Sequence, residues 1–138
     1  MNVYLDIDGV LLANDLNASK HVYEFLKVAT QNPTFWLTTH CKGDSMTAIR
    51  RLSLVFTPEM MDLIKDIKPT NWDRAKTEAI DFSQPFLWFD DDLFDDERAD
   101  LVKHNVLDNW IEVDLAKNPN QLANFIRSFP IPININKV

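Results

Sequence analysis

Residues 2–10 read NVYLDIDGV. Val3, Tyr4, Leu5 and Ile7 predict a buried strand over Val3–Ile7, and its end carries Asp6 and Asp8, followed by Gly9. Alternate side chains of an extended strand point the same way, so the two carboxylates share one side. Carboxylates ~4 Å apart repel by ~1 kcal/mol in water and ~4 kcal/mol near a protein surface. A chain that gathers them needs something to offset the repulsion.

The same pattern recurs further along. FWLTTH (35–40) is a short apolar run ending in Thr38, Thr39 and His40, and FLWFDDD (86–92) ends in Asp90, Asp91 and Asp92. With Leu52–Phe56 and Trp110–Val113 they make five strand candidates, Val3–Ile7, Phe35–Leu37, Leu52–Phe56, Phe86–Phe89 and Trp110–Val113, alternating with segments of helical period. Ser19 is placed to cap a helix with Val22, Phe25, Leu26 and Ala29 on one face. Asp44 is placed to cap another with Met46, Ile49 and Leu52. Thr57-Pro58 reads as an N-cap with proline in the first turn, ahead of Met60, Met61 and Ile64. Asn71 opens a short helix through Trp72, Ala75, Ala79 and Ile80. Asn118-Pro119 begins a last helix with Leu122, Phe125, Ile126 and Phe129 as its stripe, stopped by Pro130 and Pro132.

This alternation predicts an α/β fold with a Rossmann-like parallel sheet covered by helices on both faces. Ligands of such sheets bind beyond the carboxyl ends of the strands, where the acids and Thr38 would converge. The glycines point to the same edge. About ten are usual at this length; this chain has two, Gly9 after the first acid pair and Gly43 after Thr38. Converging carboxylates with little sulfur or imidazole suit Mg²⁺, commonly held by one or two carboxylates together with substrate phosphate.

The totals bound the rest. The 138 residues fit one domain, read as residues 1–129 with a C-terminal tail at 130–138. Hydrophobic residues at 46% and charged residues at 25% are values of a soluble globular chain. No apolar run is long enough to span a bilayer, and the N-terminus shows no signal-peptide pattern. The single cysteine, Cys41, excludes an internal disulfide. A cytoplasmic protein without membrane contact is expected. The net charge of -7 does not indicate a nucleic-acid partner.

Taken together, YLDIDGV, FWLTTH, KTEAI and FLWFDDD resemble, in order, the four motifs of the haloacid dehalogenase superfamily of phosphohydrolases. The resemblance runs from Val3 to about Asp95. It implies Asp6 as the nucleophile that forms an aspartyl-phosphate, and Asp8 as general acid and then base, its backbone carbonyl on the metal. It implies Thr38 as a phosphoryl hydrogen-bond donor and Lys76 as the stabilising cation, with Lys68 a competitor. Asp90 and Asp91 would complete a Mg²⁺ site with Asp6 and Asp8. Asp90 and Asp91 compete as the direct ligand, and Thr39 competes with Thr38.

Roughly thirty residues separate Asp8 from Thr38, and a similar number separate Thr38 from Lys76. One or two helices and a short strand fill such gaps, leaving no room for a folded cap. WFDDDL (88–93) is also similar to a segment of the uncapped members found in bacterial and phage nucleic-acid repair enzymes. The expected activity is Mg²⁺-dependent phosphomonoester hydrolysis at an open site, on a small-molecule or macromolecular phosphate. The alternatives are a phosphotransferase of the same family and a receiver-like or non-catalytic phosphate-binding module. Of the remaining polar residues, Asp95, Asp96 and Glu97 read as a loop or helix-start surface, and His40 and Cys41 as ordinary loop and core residues.

Overall fold

The computed structural model describes residues 1–129; the expected tail at 130–138 lies outside them. Four strands, β1 (Asn2–Leu5), β2 (Thr34–Trp36), β3 (Phe86–Asp90) and β4 (Trp110–Glu112), form one parallel sheet in the order β2-β1-β3-β4. Five helices accompany them: α1 (Val22–Ala29), α2 (Met46–Ser53), α3 (Pro58–Ile64), α4 (Asp95–Lys103) and α5 (Gln121–Phe125). The α/β architecture is therefore the one expected.

The strand alternation divides the core in two. Val3, Leu5, Trp36 and Phe89 face a cluster built with α1, α2, α3 and α5. Tyr4, Phe86 and Trp88 face the opposite side, closed by Ile80 and by Leu101 of α4. Burying one such side chain contributes about 1.5–3 kcal/mol, so both faces hold the sheet. Phe89 is also enclosed by aromatic neighbours, its ring 5.1 Å from that of Phe25 and 5.3 Å from that of Phe125.

The chain leaves β1 for β2 on one side and returns past β1 to β3 on the other. That reversal opens a crevice between the carboxyl ends of β1 and β3. Backbone pairing carries the ladder up to it: Asp6 N–H donates to the Phe89 carbonyl at 3.1 Å, and Leu37 N–H to the Leu5 carbonyl at 2.8 Å.

Several local expectations are corrected. Leu52–Phe56 is not a strand. It finishes α2 and the turn after it, where Phe56 N–H donates to the Leu52 carbonyl at 2.8 Å. The spacing that won is helical: Ala48, Leu52 and Phe56 are buried four residues apart, while Leu54, which strand alternation would bury, is 81% exposed. Met46 is likewise exposed. Ser19 does not cap α1; its buried hydroxyl donates to the Val10 carbonyl at 2.7 Å, and His21 occupies the cap position.

The helix expected from Asn71 shrinks to a 3-10 turn, Lys76–Ala79. The Glu78 carboxylate draws the preceding backbone into a loop by accepting from Asp73, Arg74 and Ala75. The last helix starts at Gln121 rather than just after Asn118-Pro119, and it passes into another 3-10 turn, Ile126–Ser128. The Thr57-Pro58 start stands as expected, with Thr57 Oγ1 accepting from Met60 N–H. Asp44 accepts the Met46 N–H at 2.9 Å, one residue ahead of the formal cap.

Candidate active site

The crevice holds a cavity of about 200 Å³ lined by Asp6, Asp8, Thr39, Trp72, Arg74, Lys76, Asp90, Asp91, Asp92, Phe94 and Glu97. Four sequence segments reach it. The chain just after β1 delivers Asp6 and Asp8, the loop after β2 delivers Thr39, with the fully buried Thr38 next to it in the chain, the 3-10 turn delivers Lys76, and the end of β3 delivers Asp90 and Asp91.

Gly9 makes the first of these possible. It sits at φ +81°, a conformation that suits glycine, and the turn around it folds back so that the Ile7 carbonyl accepts from Val10, Leu11 and Leu12. A Cβ on Gly9 would overlap the Asp91 carboxylate and lie 2.6 Å from its Cγ. The loop after β1 and the end of β3 are therefore in direct contact.

Lys76 anchors the acids. Its Nζ lies 2.7 Å from Asp90 Oδ2 and 3.7 Å from Asp6 Oδ1, with its side chain 12% exposed. Asp90 is almost fully buried and also accepts from Trp88 Nε1 at 3.2 Å and from Asp92 N–H at 3.2 Å. Burial works against the charge on Lys76, but Asp6 and Asp90 outweigh it and its pKa is raised. The ammonium is therefore charged throughout the neutral range.

The acids are less comfortable. Burial raises the pKa of Asp6 against the opposing pull of Lys76. Burial and the Asp6 charge push Asp90 up to about 6. Burial and a hydrogen bond with Asp90 bring Asp91 to about 6 as well. One ammonium does not neutralise three carboxylates.

One carboxylate oxygen from each of Asp6, Asp90 and Asp91 lies within 4.8 Å of the others. This is an all-oxygen, anionic donor set, and a hard divalent cation fits it by chemistry and by the charge it lacks.

Asp8 is treated differently. Its carboxylate is not part of that set; His40 Nε2 lies 2.8 Å from Oδ2 and Arg51 Nη2 2.9 Å from Oδ1. Partial burial tends to raise its pKa, but hydrogen bonds from His40 and Arg51 outweigh that and hold it below the usual carboxylate range.

The competing residues occupy different places. Thr38 is fully buried, its hydroxyl accepts from His40 N–H at 3.3 Å and it helps to lower the pKa of Asp6, whereas Thr39 is exposed on the cavity rim. Lys76 is at the acids. Lys68 lies at the other end of the sheet, lining a cavity of about 360 Å³ with Thr34, Asp62, Lys65 and Asp66. Asp90 and Asp91 both belong to the acid group. Asp95 is exposed in the first turn of α4.

Three residues escaped the sequence reading. Arg51 reaches Asp8 from α2, a helix without any motif. His40 turns to Asp8 rather than to Cys41, whose buried thiol contacts the backbone of Asp44 and Thr70. Glu97, read as surface, is 3% exposed and accepts from Lys76 N–H at 2.9 Å and Phe94 N–H at 3.1 Å. It ties the lysine-bearing turn to the start of α4. The signal for it was present: a Glu three residues after the residue preceding a helix is the acceptor half of a capping box.

No protein-family model, curated protein or solved structure matches the chain. The functional reading therefore rests on the site's own chemistry.

Proposed function

We propose that the chain is an uncapped, Mg²⁺-dependent phosphomonoester hydrolase of the haloacid dehalogenase type, working through an aspartyl-phosphate on Asp6. The observation that carries this reading is Lys76 Nζ between Asp6 and Asp90, with Asp91 alongside, at the crevice between β1 and β3.

An Asp6 carboxylate oxygen attacks phosphorus as the bond from phosphorus to the ester oxygen breaks. The resemblance gives Asp8 the role of acid toward the departing oxygen; His40 and Arg51 favour its ionised form, so this step draws on the small protonated fraction. Asp8 then takes a proton from water as that water attacks phosphorus, releasing inorganic phosphate and regenerating Asp6. General acid–base help of this kind contributes about 10²–10⁴-fold.

Lys76 faces the nucleophile and offsets the repulsion between two anions in the transition state. Thr38, buried in the loop after β2, would donate its one hydroxyl proton to a phosphoryl oxygen when substrate is bound. Asp6, Asp90, Asp91 and the Asp8 carbonyl would hold Mg²⁺, which supplies positive charge to the phosphoryl oxygens when bound. The connections Asp8–Thr38 and Thr38–Lys76 contain loops, helices and one short strand, which supports a site open to solvent. Phosphoryl transfer to an acceptor other than water would use the same first step.

The test is turnover of an aryl phosphate by the purified protein, with Mg²⁺ or with chelator, beside Asp6→Asn. Turnover that needs the metal and disappears in the variant supports the reading. Turnover that persists in Asp6→Asn, or failure to bind inorganic phosphate in the presence of Mg²⁺, overturns it.

A further inference from the structure

Asp8 stands apart from Asp6, Asp90 and Asp91 in having each of its oxygens held by the side chain of a different residue. Arg51 reaches Oδ1 from α2, and His40 reaches Oδ2 from the loop after β2. Arg51 stands 43 positions from Asp8 in the chain and His40 32 positions, so neither contact is a by-product of local geometry. The Arg51 side chain is 30% exposed and that of His40 23%, so ordering both costs side-chain entropy that a surface pair seldom recovers.

The two contacts fix the carboxylate's rotamer and plane. An ionised carboxylate offers about four lone-pair sites. Two are used here, and the remaining sites stay open to accept a proton on the cavity side, where Asp8 is a lining residue. The same contacts hold this carboxylate apart from the Asp6, Asp90 and Asp91 group.

We infer that Arg51, assisted by His40, is a positioning residue that holds Asp8 as the base for water attack on the aspartyl-phosphate. This rests on the phosphohydrolase reading and adds to it a residue that touches neither substrate nor metal.

Its signature is kinetic. Formation of the Asp6 acyl phosphate from an aryl phosphate needs little acid help, because the phenolate leaves readily. Breakdown of that acyl phosphate needs the base. Loss of the clamp should therefore slow the second half-reaction selectively.

The experiment compares wild type, Arg51→Gln and Arg51→Lys with p-nitrophenyl phosphate and Mg²⁺, by steady-state and rapid-mixing kinetics. In Arg51→Gln, which keeps much of the aliphatic stem, kcat is expected to fall by about 10–10²-fold. KM should fall nearly in parallel, so kcat/KM changes far less. A burst of nitrophenolate approaching one equivalent per site should appear, with phosphate trapped on Asp6. Arg51→Lys should lie between this variant and wild type.

A parallel loss of kcat and kcat/KM without a burst would mean that Arg51 only supports the fold, and would overturn the inference while leaving the phosphatase reading intact. Absence of wild-type turnover would remove the reading itself, and the inference with it. Should Arg51→Gln fail to fold, His40→Gln removes the imidazole from the other oxygen and carries the same burst test, with the same two outcomes.

Discussion

Substituting Gly9 with alanine probes the contact that joins the two acid-bearing strand ends. Gly9 has φ +81° and Gly43 has φ +85°, so an alanine at either position pays for a left-handed backbone, about 1–2 kcal/mol. The surroundings then separate them. At Gly43 the nearest atom to a new Cβ is Asn71 Cγ at 4.0 Å, an ordinary contact. At Gly9 the new Cβ lies 2.6 Å from Asp91 Cγ and 2.9 Å from Asp91 Cβ. Rotating the Asp91 side chain leaves its Cβ in place, so the residue itself must move. Overpacking of this kind costs about 1–3 kcal/mol. Gly43→Ala should therefore lose about 1–2 kcal/mol and Gly9→Ala about 2–5 kcal/mol. Urea denaturation in chelator, at matched m-values, measures both. Gly9→Ala should also bind Mg²⁺ more weakly, because Asp91 is displaced. If the two variants lose equal stability and bind Mg²⁺ equally, Asp91 does not sit against Gly9 and the acid group is drawn wrongly.

Other perturbations test the charges. Lys76→Met strands Asp6 and Asp90 without their cation, and breaking so buried a pair should cost about 3–5 kcal/mol in metal-free denaturation. Glu97→Ala leaves the N–H groups of Lys76 and Phe94 without their acceptor, with an expected loss of about 2 kcal/mol or more by the same assay. The pH dependence follows from Asp90 and Asp91, each raised from 3.8 to about 6. Between those values the folded state keeps protons that the unfolded chain has released, so their contribution to metal-free stability falls as pH rises through about 6. Asp8 runs the other way: its pKa is lowered, and its contribution is lost as pH falls below the usual carboxylate range. Asp90→Asn should flatten the first dependence, and Mg²⁺ should raise Tm increasingly as pH climbs past about 6, read from melting curves with and without metal.

The four true strands were legible because each is a short, near-continuous apolar run ending in polar residues, the pattern of strands in a parallel sheet covered on both faces. Leu52–Phe56 was misread because five residues satisfy either period; only Ala48, four residues earlier, breaks the tie toward helix. Asp6, Thr38, Asp90 and Asp91 were visible because strand ends place them at one edge, while Lys76, on a 3-10 turn, was marked only by the motif resemblance. Arg51 was not, since nothing in its own segment marks it and its role comes from how α2 packs. Glu97 was hidden by its acidic neighbours: of the six carboxylates between Asp90 and Glu97, burial selects two, Asp90 and Glu97, and composition does not say which.

The central claim is that phosphate passes through Asp6, and reductive trapping tests it most directly. Wild-type protein turning over an aryl phosphate with Mg²⁺ is quenched into borohydride, which reduces an aspartyl-phosphate to homoserine, and the peptide containing residues 2–10 is sequenced by mass spectrometry. The account predicts homoserine at position 6, absent without substrate and absent with chelator. Turnover under the same conditions with Asp6 recovered wholly as aspartate, or with the modification at Asp90 or Asp91 instead, would contradict it.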